Sequence, residues 1–283
     1  MTDNKKNNKR LTAVQRRMLF MSGSSAAPFI AAFLLMNIIF RWHLKLPILI
    51  GICFVIIGIS FLMMKLSLKN NTFIKLMEKL RKDGYTDEYM DGMKAEIAKA
   101  ERRMRLRDAE GYKAMLGFAQ LFRGELDEAY ERLKSIKMPL LRKPMRSKYI
   151  NNLIAVCFFL EKYDEVTDLY TEHEKLIISD PGALMKRSLG MREYARERYE
   201  NAVTIFIKLM ELESKSDTLF SDLCLMKSML QLDMYESSRP FLKFLERYKG
   251  LHQLNEIASE VQRKTLAGLH SPNKNQKKQK KKH

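Results

Sequence analysis

The chain is 283 residues long, with 51 Lys and Arg against 33 Asp and Glu, a formal net charge of +18 and 46% apolar residues. The apolar share excludes an intrinsically disordered chain, and the positive balance points to anionic neighbours. Cys53, Cys157 and Cys224 all sit in apolar sequence without metal or disulfide spacing, which excludes a cysteine-stapled scaffold and agrees with core packing in a reducing compartment.

Taken in order, residues 1–17 form a basic segment carrying Lys5, Lys6, Lys9, Arg10, Arg16 and Arg17. Residues 18–68 then read as a transmembrane hairpin. The first span, 18–40, has no charged side chain and would reach about 34 Å as a helix, enough for a hydrocarbon core of about 30 Å. Its start is weakened by Ser22, Ser24, Ser25 and Pro28. The second span, about 46–66, is dense in Ile, Leu, Phe and Val, with Pro47 in the first turn, where proline is tolerated. Only Arg41 to Lys45 join the two, which demands an antiparallel hairpin with Trp42 at interface depth. Lysines and arginines flank the outer ends of both spans, so both termini are expected in the cytoplasm of a multi-pass protein, in the plasma membrane if the cell is bacterial. A cleaved signal peptide and a re-entrant first run are the alternatives.

Residues 69–107 read as a charged helical connector, with Ile74, Met77 and Leu80, then Met90, Met93, Ile97 and Met104, as a sparse apolar stripe. Asp83, Asp87, Glu88 and Asp91 lack the spacing of a calcium loop and read as a solvated acidic face. From 108 to 268 a repeat emerges. Leu126, Tyr163, Tyr199 and Tyr235 are spaced 37, 36 and 36 residues apart, each followed by an acid and then a small or β-branched residue: Ala129, Val166, Ala202 and Ser238. An apolar-periodic helix precedes and follows each anchor: Tyr112 to Phe122 and Glu128 to Ile136, Tyr149 to Leu160 and Glu165 to Ile177, Leu184 to Tyr194 and Asn201 to Leu212, Leu219 to Leu230 and Ser237 to Tyr248.

This pattern resembles the tetratricopeptide repeat over about half the chain. Gly117 and Gly190 stand where that family keeps a small residue, Ala129 and Ala202 fill the next tight contact, and Leu133 and Phe206 follow four residues later. Repeats two and four depart from it, with no glycine and with Val166 and Ser238. Together with the hairpin read from the apolar runs, the resemblance implies an all-α fold, two transmembrane helices followed by a tetratricopeptide-like α-solenoid of about four helix pairs, with the anchor aromatics plugging the space between pairs. Pro139, Pro144 and the run Ser179 to Gly182 read as breaks between units, and Leu251 to Leu266 as a polar helix capping the open end. Residues 269–283 read as a lysine-rich disordered tail.

No catalytic set emerges, since H-E-x-x-H, a glycine-rich phosphate loop and G-x-S-x-G are all missing and the five histidines are scattered. The expectation is therefore a non-enzyme without metal or cofactor. In the register of the resemblance, Lys148, Asn151, Asn152, Arg187, Met191, Tyr194 and Lys227 fall on the helices that line a solenoid's inner groove, suited to an acidic or extended segment of a protein partner. Ala114 and Phe118 stand where the carboxylate clamp of some family members needs an amide and a cation, so that clamp is not carried over. A second candidate is anionic contact by Lys137, Arg142, Lys143 and Arg146 together with the tail lysines Lys277, Lys278, Lys280, Lys281 and Lys282. Two functions follow: a membrane-anchored scaffold for protein–protein interaction, or a membrane-associated RNA- or ribosome-binding factor using basic tails. The absence of aromatics among those lysines argues against base stacking.

Overall fold

A computed structural model describes residues 72–179, 182–212 and 220–270, with scattered positions between 27 and 62. The basic segment 1–17 and the tail from 271 onward lie outside the described residues, as does most of both expected spans. All regular structure among the described residues is helical. The chain divides into two compact units, residues 1–82 and 83–283.

In the first unit, residues 52–60 are helical, and Phe54, Val55 and Ile59 are 70%, 59% and 57% exposed. Helix α1, Thr72–Asp83, follows and buries none of its side chains. No helix among the described residues is long and apolar enough to cross a membrane.

The second unit begins with α2, Asp87–Arg102, where the Thr86 hydroxyl accepts a hydrogen bond from the Tyr89 amide and Asp87 and Glu88 favour the positive end of the helix dipole. The sequence suggested a loose connector here. Instead α2 packs along α3, Leu106–Phe122, burying Tyr89, Met90, Met93, Ile97 and Ala100. Arg123 locks the far end by donating to Asp87 at 2.7 Å, and Tyr85 stacks on Phe122. The sparse methionine stripe is thus a core face, while Met104, at its end, is 80% exposed.

Four helix pairs follow the expected order. Pair one is α3 with α4, Leu126–Lys134. Pair two joins α5, Lys143–Phe159, to α6, Tyr163–Glu172, with a short continuation α7, Glu174–Ile178. Pair three is α8, Ala183–Ala195, with α9, Tyr199–Leu212. Pair four opens with α10, Ser221–Gln231, and continues through α11, Tyr235–Ser238, into a 3₁₀ helix, Arg239–Tyr248. Each second helix packs on the first helix of the next pair, and the first helices touch in succession.

Every pair turns in the same way. Gly124, Glu161, Glu197 and Asp233 adopt left-handed backbone, φ +71°, +58°, +60° and +54°. The amide after each donates five residues back: Glu125 to Gln120, Lys162 to Cys157, Arg198 to Glu193 and Met234 to Met229, at 2.9 to 3.0 Å. This is the Schellman closure, which satisfies helix-end carbonyls. The same turn, with Met104 left-handed, joins α2 to α3.

Glycine sets the spacing inside pairs one and three. A methyl on Gly117 would lie 2.7 Å from Leu133 Cδ2, and one on Gly190 would lie 2.7 Å from the Phe206 ring. The close helix approach at these glycines agrees with the sequence reading, and the structure identifies Leu133 and Phe206 as the side chains that meet them. Pair two has buried Ile154 and Tyr170 at the matching positions.

Three expectations require correction. Pro144 does not break structure, because it sits in the first turn of α5, where the missing amide has no partner to lose. The second helix of pair four is mostly 3₁₀, since Pro240 removes one amide and clashes with the preceding turn of an α-helix. The last helix, α12, Gln253–His270, packs on pair four as a cap would, but it is not confined to that end. Its first turn docks on the opposite end of the array: the Gln253 amide donates to the Gly124 carbonyl at 3.0 Å, and its side chain bonds Leu126 and Asp127. At the other end of α12, Gly268 lies against the Tyr235 ring. The helix therefore straps the row of turns from pair one to pair four. Leu254, Ala258, Val261 and Thr265, at helical spacing, form its buried face.

Candidate binding cleft beneath the strap helix

Six of the seven groove residues expected from the sequence lie inside the fold. Asn151, Asn152, Arg187, Met191, Tyr194 and Lys227 are at most 8% exposed, and only Lys148 stands in solvent. The helices do bring them to one face, but the chain itself covers that face. Asn151 donates to the Ser147 carbonyl at 2.9 Å and accepts from Ser188. Arg187 donates to Asn152 at 3.1 Å, its guanidinium 5.3 Å from the Phe220 ring. Phe220, fully buried at φ +88°, is the residue that fills the groove, with its ring 5.3 Å from Phe122 and 5.5 Å from Phe159.

Phe220 is held from behind by a buried polar cluster. Its amide donates to the Tyr248 hydroxyl at 2.8 Å, and that hydroxyl donates to Asp222 at 2.8 Å. Arg247 closes on both oxygens of Asp222, at 2.9 and 3.1 Å. Burial raises the Asp222 carboxyl above its ordinary range, with Arg247 and Tyr248 pulling the other way. The cluster ties Phe220 to the 3₁₀ helix, and none of its groups lines the cleft beneath α12.

The opening lies beneath α12. A cleft of about 970 Å³ is bounded by the turns of pairs two and three, the end of α10, and residues 257–268 of the strap. Its aromatic wall is Tyr163, Tyr194, Tyr199 and Tyr235, three of which occupy the repeating anchor position. Tyr194 sits 5.4 Å from Tyr163 and 5.1 Å from Tyr199, in tilted and edge-on contact. Gln231 donates to the Tyr194 hydroxyl at 3.1 Å. Burial raises the phenols of Tyr163, Tyr194 and Tyr199, so they present neutral hydroxyls and electron-rich ring faces at neutral pH.

The charges around those rings are unbalanced. Glu161, Asp164, Glu197 and Glu260 line the cleft against Lys227 and Lys264. Lys227 pairs with Glu161 at 2.9 Å and Lys264 with Glu260 at 2.6 Å. Asp164 and Glu197, both exposed, enter no ion pair among the described residues. Rings plus surplus carboxylates make a surface for cations, since the ring quadrupole and the acid charge attract the same sign. Of the expected groove residues, Tyr194 and Lys227 reach this cleft and the others do not. Sequence reasoning missed Asp164 and Glu197 and read the anchor tyrosines as plugs. The available signal was the column itself, with tyrosine at 163, 199 and 235.

The expected basic contact surface is partly consumed. Lys137 and Lys143 are exposed, and Arg142 faces Asp108 at 3.4 Å. Arg146 instead donates to the Leu141 and Pro139 carbonyls at 3.0 and 2.7 Å, holding the turn before α5. Lysines 277, 278, 280, 281 and 282 lie outside the described residues. No nucleophile is activated here: burial pushes the Cys157 thiol up to about 12, and no group of three potential metal ligands occurs among the described residues. Comparison of the chain with family models, with curated proteins and with solved structures returns no match.

Proposed function

We propose that the protein is a membrane-anchored scaffold whose tetratricopeptide-like helical array docks a protein partner at the tyrosine cleft. The observation that carries this reading is the row of equivalent turns, at the repeat spacing, converging on one cleft with an aromatic wall and two carboxylates that enter no ion pair among the described residues. A binding module needs such an opening, and the interior polar seam offers none. Anchoring is supported by the charge-free runs 18–40 and 46–64 and by Phe54, Val55 and Ile59, which expose large apolar side chains around one helical segment. The excess of carboxylates over ammonium groups in the cleft favours a partner segment that is basic and extended rather than acidic.

The test has two arms. Alkaline extraction should leave the full chain in the membrane pellet, and release into the supernatant would contradict the anchor. A photo-crosslinking amino acid replacing Tyr199 in growing cells should give one discrete adduct that the same probe at Glu128, on the outer face of α4, does not. Equal or absent adducts at both positions would contradict docking at the cleft.

A further inference from the structure

The strap helix ends at the cleft. Ala267 and Gly268 line it, and the chain continues from His270 into Ser271 to His283, a segment with Lys274, Lys277, Lys278, Lys280, Lys281 and Lys282 and no acid. We propose that this lysine-rich segment is an occupant of the tyrosine cleft of its own molecule and competes there with the partner, so that the cleft is a site for lysine-rich extended segments. The inference rests on the reading of the cleft as the recognition surface.

Reach, charge and chemistry agree. From Ser271 to Lys282 an extended chain covers about 40 Å. The wall of the cleft formed by α12, from Ile257 to Gly268, is about 17 Å long at helical rise, so the tail can run its length. The tail brings six ammonium groups to a cavity that carries Asp164 and Glu197, which enter no ion pair among the described residues. Lysine ammonium groups bind carboxylates and tyrosine faces alike, while their butyl stems cover ring surface. Because the tail is tethered beside the site, its effective concentration is in the millimolar range, enough to exclude a weak ligand without tight contacts.

Competition measures this directly. A fluorescent peptide with the sequence of residues 271–283 is titrated into the full-length protein in nanodiscs of neutral phosphatidylcholine, which offers the tail no anionic lipid. Two proteins are compared with it: one with all six tail lysines changed to Gln, and one that adds Asp164→Asn and Glu197→Gln. The Gln-tail protein should bind the peptide at least tenfold more tightly than the unmodified chain, and affinity should fall as salt rises. Removing the two exposed carboxylates should then weaken binding by roughly fivefold, at an unchanged melting temperature. If the unmodified and Gln-tail proteins bind the peptide equally, the tail does not occupy the cleft and the proposal fails, while the cleft reading survives. If the Gln-tail protein binds nothing, or binds as well without Asp164 and Glu197, the cleft is no cation site and both readings fall.

Discussion

Two regions of the second unit are built from similar residue types and behave in opposite ways. In the seam behind Phe220, Asn151 bonds Ser188 and Asn152 bonds Arg187, and all four are buried. Under α12, Tyr163, Tyr199, Asp164 and Glu197 face an opening. The difference arises from cover. The seam lies where Phe220 turns inward on a left-handed residue, and the cleft lies where a straight 18-residue helix bridges turns without filling the space beneath it. Polar groups at helical spacing thus identify a shared face, but whether that face binds a partner or holds the fold depends on what the chain lays across it.

The comparison predicts that seam and strap substitutions cost stability, whereas cleft substitutions cost binding. The largest effect is expected at Gly124. A methyl there would lie 1.7 Å from the Leu251 carbonyl oxygen, on a backbone with φ +71°. Gly124→Ala should destabilise by about 3 kcal/mol in urea titration and detach the start of α12. Arg187→Ala comes next, at about 2 to 3 kcal/mol, because it strips Asn152 and Phe220 of a buried charged partner. Tyr199→Ser, in the cleft, should cost under about 1 kcal/mol and yet abolish crosslinking to the partner. Equal costs at 187 and 199 would erase the distinction between the two regions.

Acid should reveal two ion pairs, one within α8 and one between α4 and α6. Burial of Glu193 works to raise its carboxyl, but the hydrogen bond and charge of Arg192 outweigh that and hold it below the usual range. Glu165 is likewise lowered, burial being outweighed by Lys134 and Tyr130. A carboxyl depressed in the folded state contributes stability above its unfolded pKa and loses it as pH falls through the folded value. Stability should therefore drop below the ordinary Glu range, and Glu193→Gln should flatten that slope in urea midpoints measured across acid pH. Asp222, raised, acts with the opposite sign: its folded form holds the proton more tightly, so its penalty is present at neutral pH and relaxes on acidification. The smallest effect is a gain. Met104 is exposed and left-handed, so Met104→Gly should stabilise by about 1 kcal/mol in the same titration.

Much of the fold was legible because its constraints are local. Gly117 and Gly190 announced a close approach of paired helices, and the spacing of Leu126, Tyr163, Tyr199 and Tyr235 announced the turns. What escaped depends on long-range cover. The buried face of α12 is only Leu254, Ala258, Val261 and Thr265, too sparse to declare that the helix reaches back from pair four to pair one, and the contact that makes this reach, Gln253 with Gly124, spans most of the repeat domain. Phe220 gives no local sign of turning inward. Asp164 and Glu197 read as ordinary solvated acids until the tyrosines beside them are seen to share one cavity.

Hydroxyl-radical footprinting of the full-length protein in lipid tests the division between interior and opening most directly, since methionine and tyrosine oxidise according to exposure. The account predicts fast modification of Met104 and Tyr199, and strong protection of Met191, Met226 and Tyr248, each fully buried. Oxidation of Met191 at a rate matching Met104 would mean that the face carrying Asn151 and Arg187 is the true groove, and the cleft beneath α12 would lose its claim.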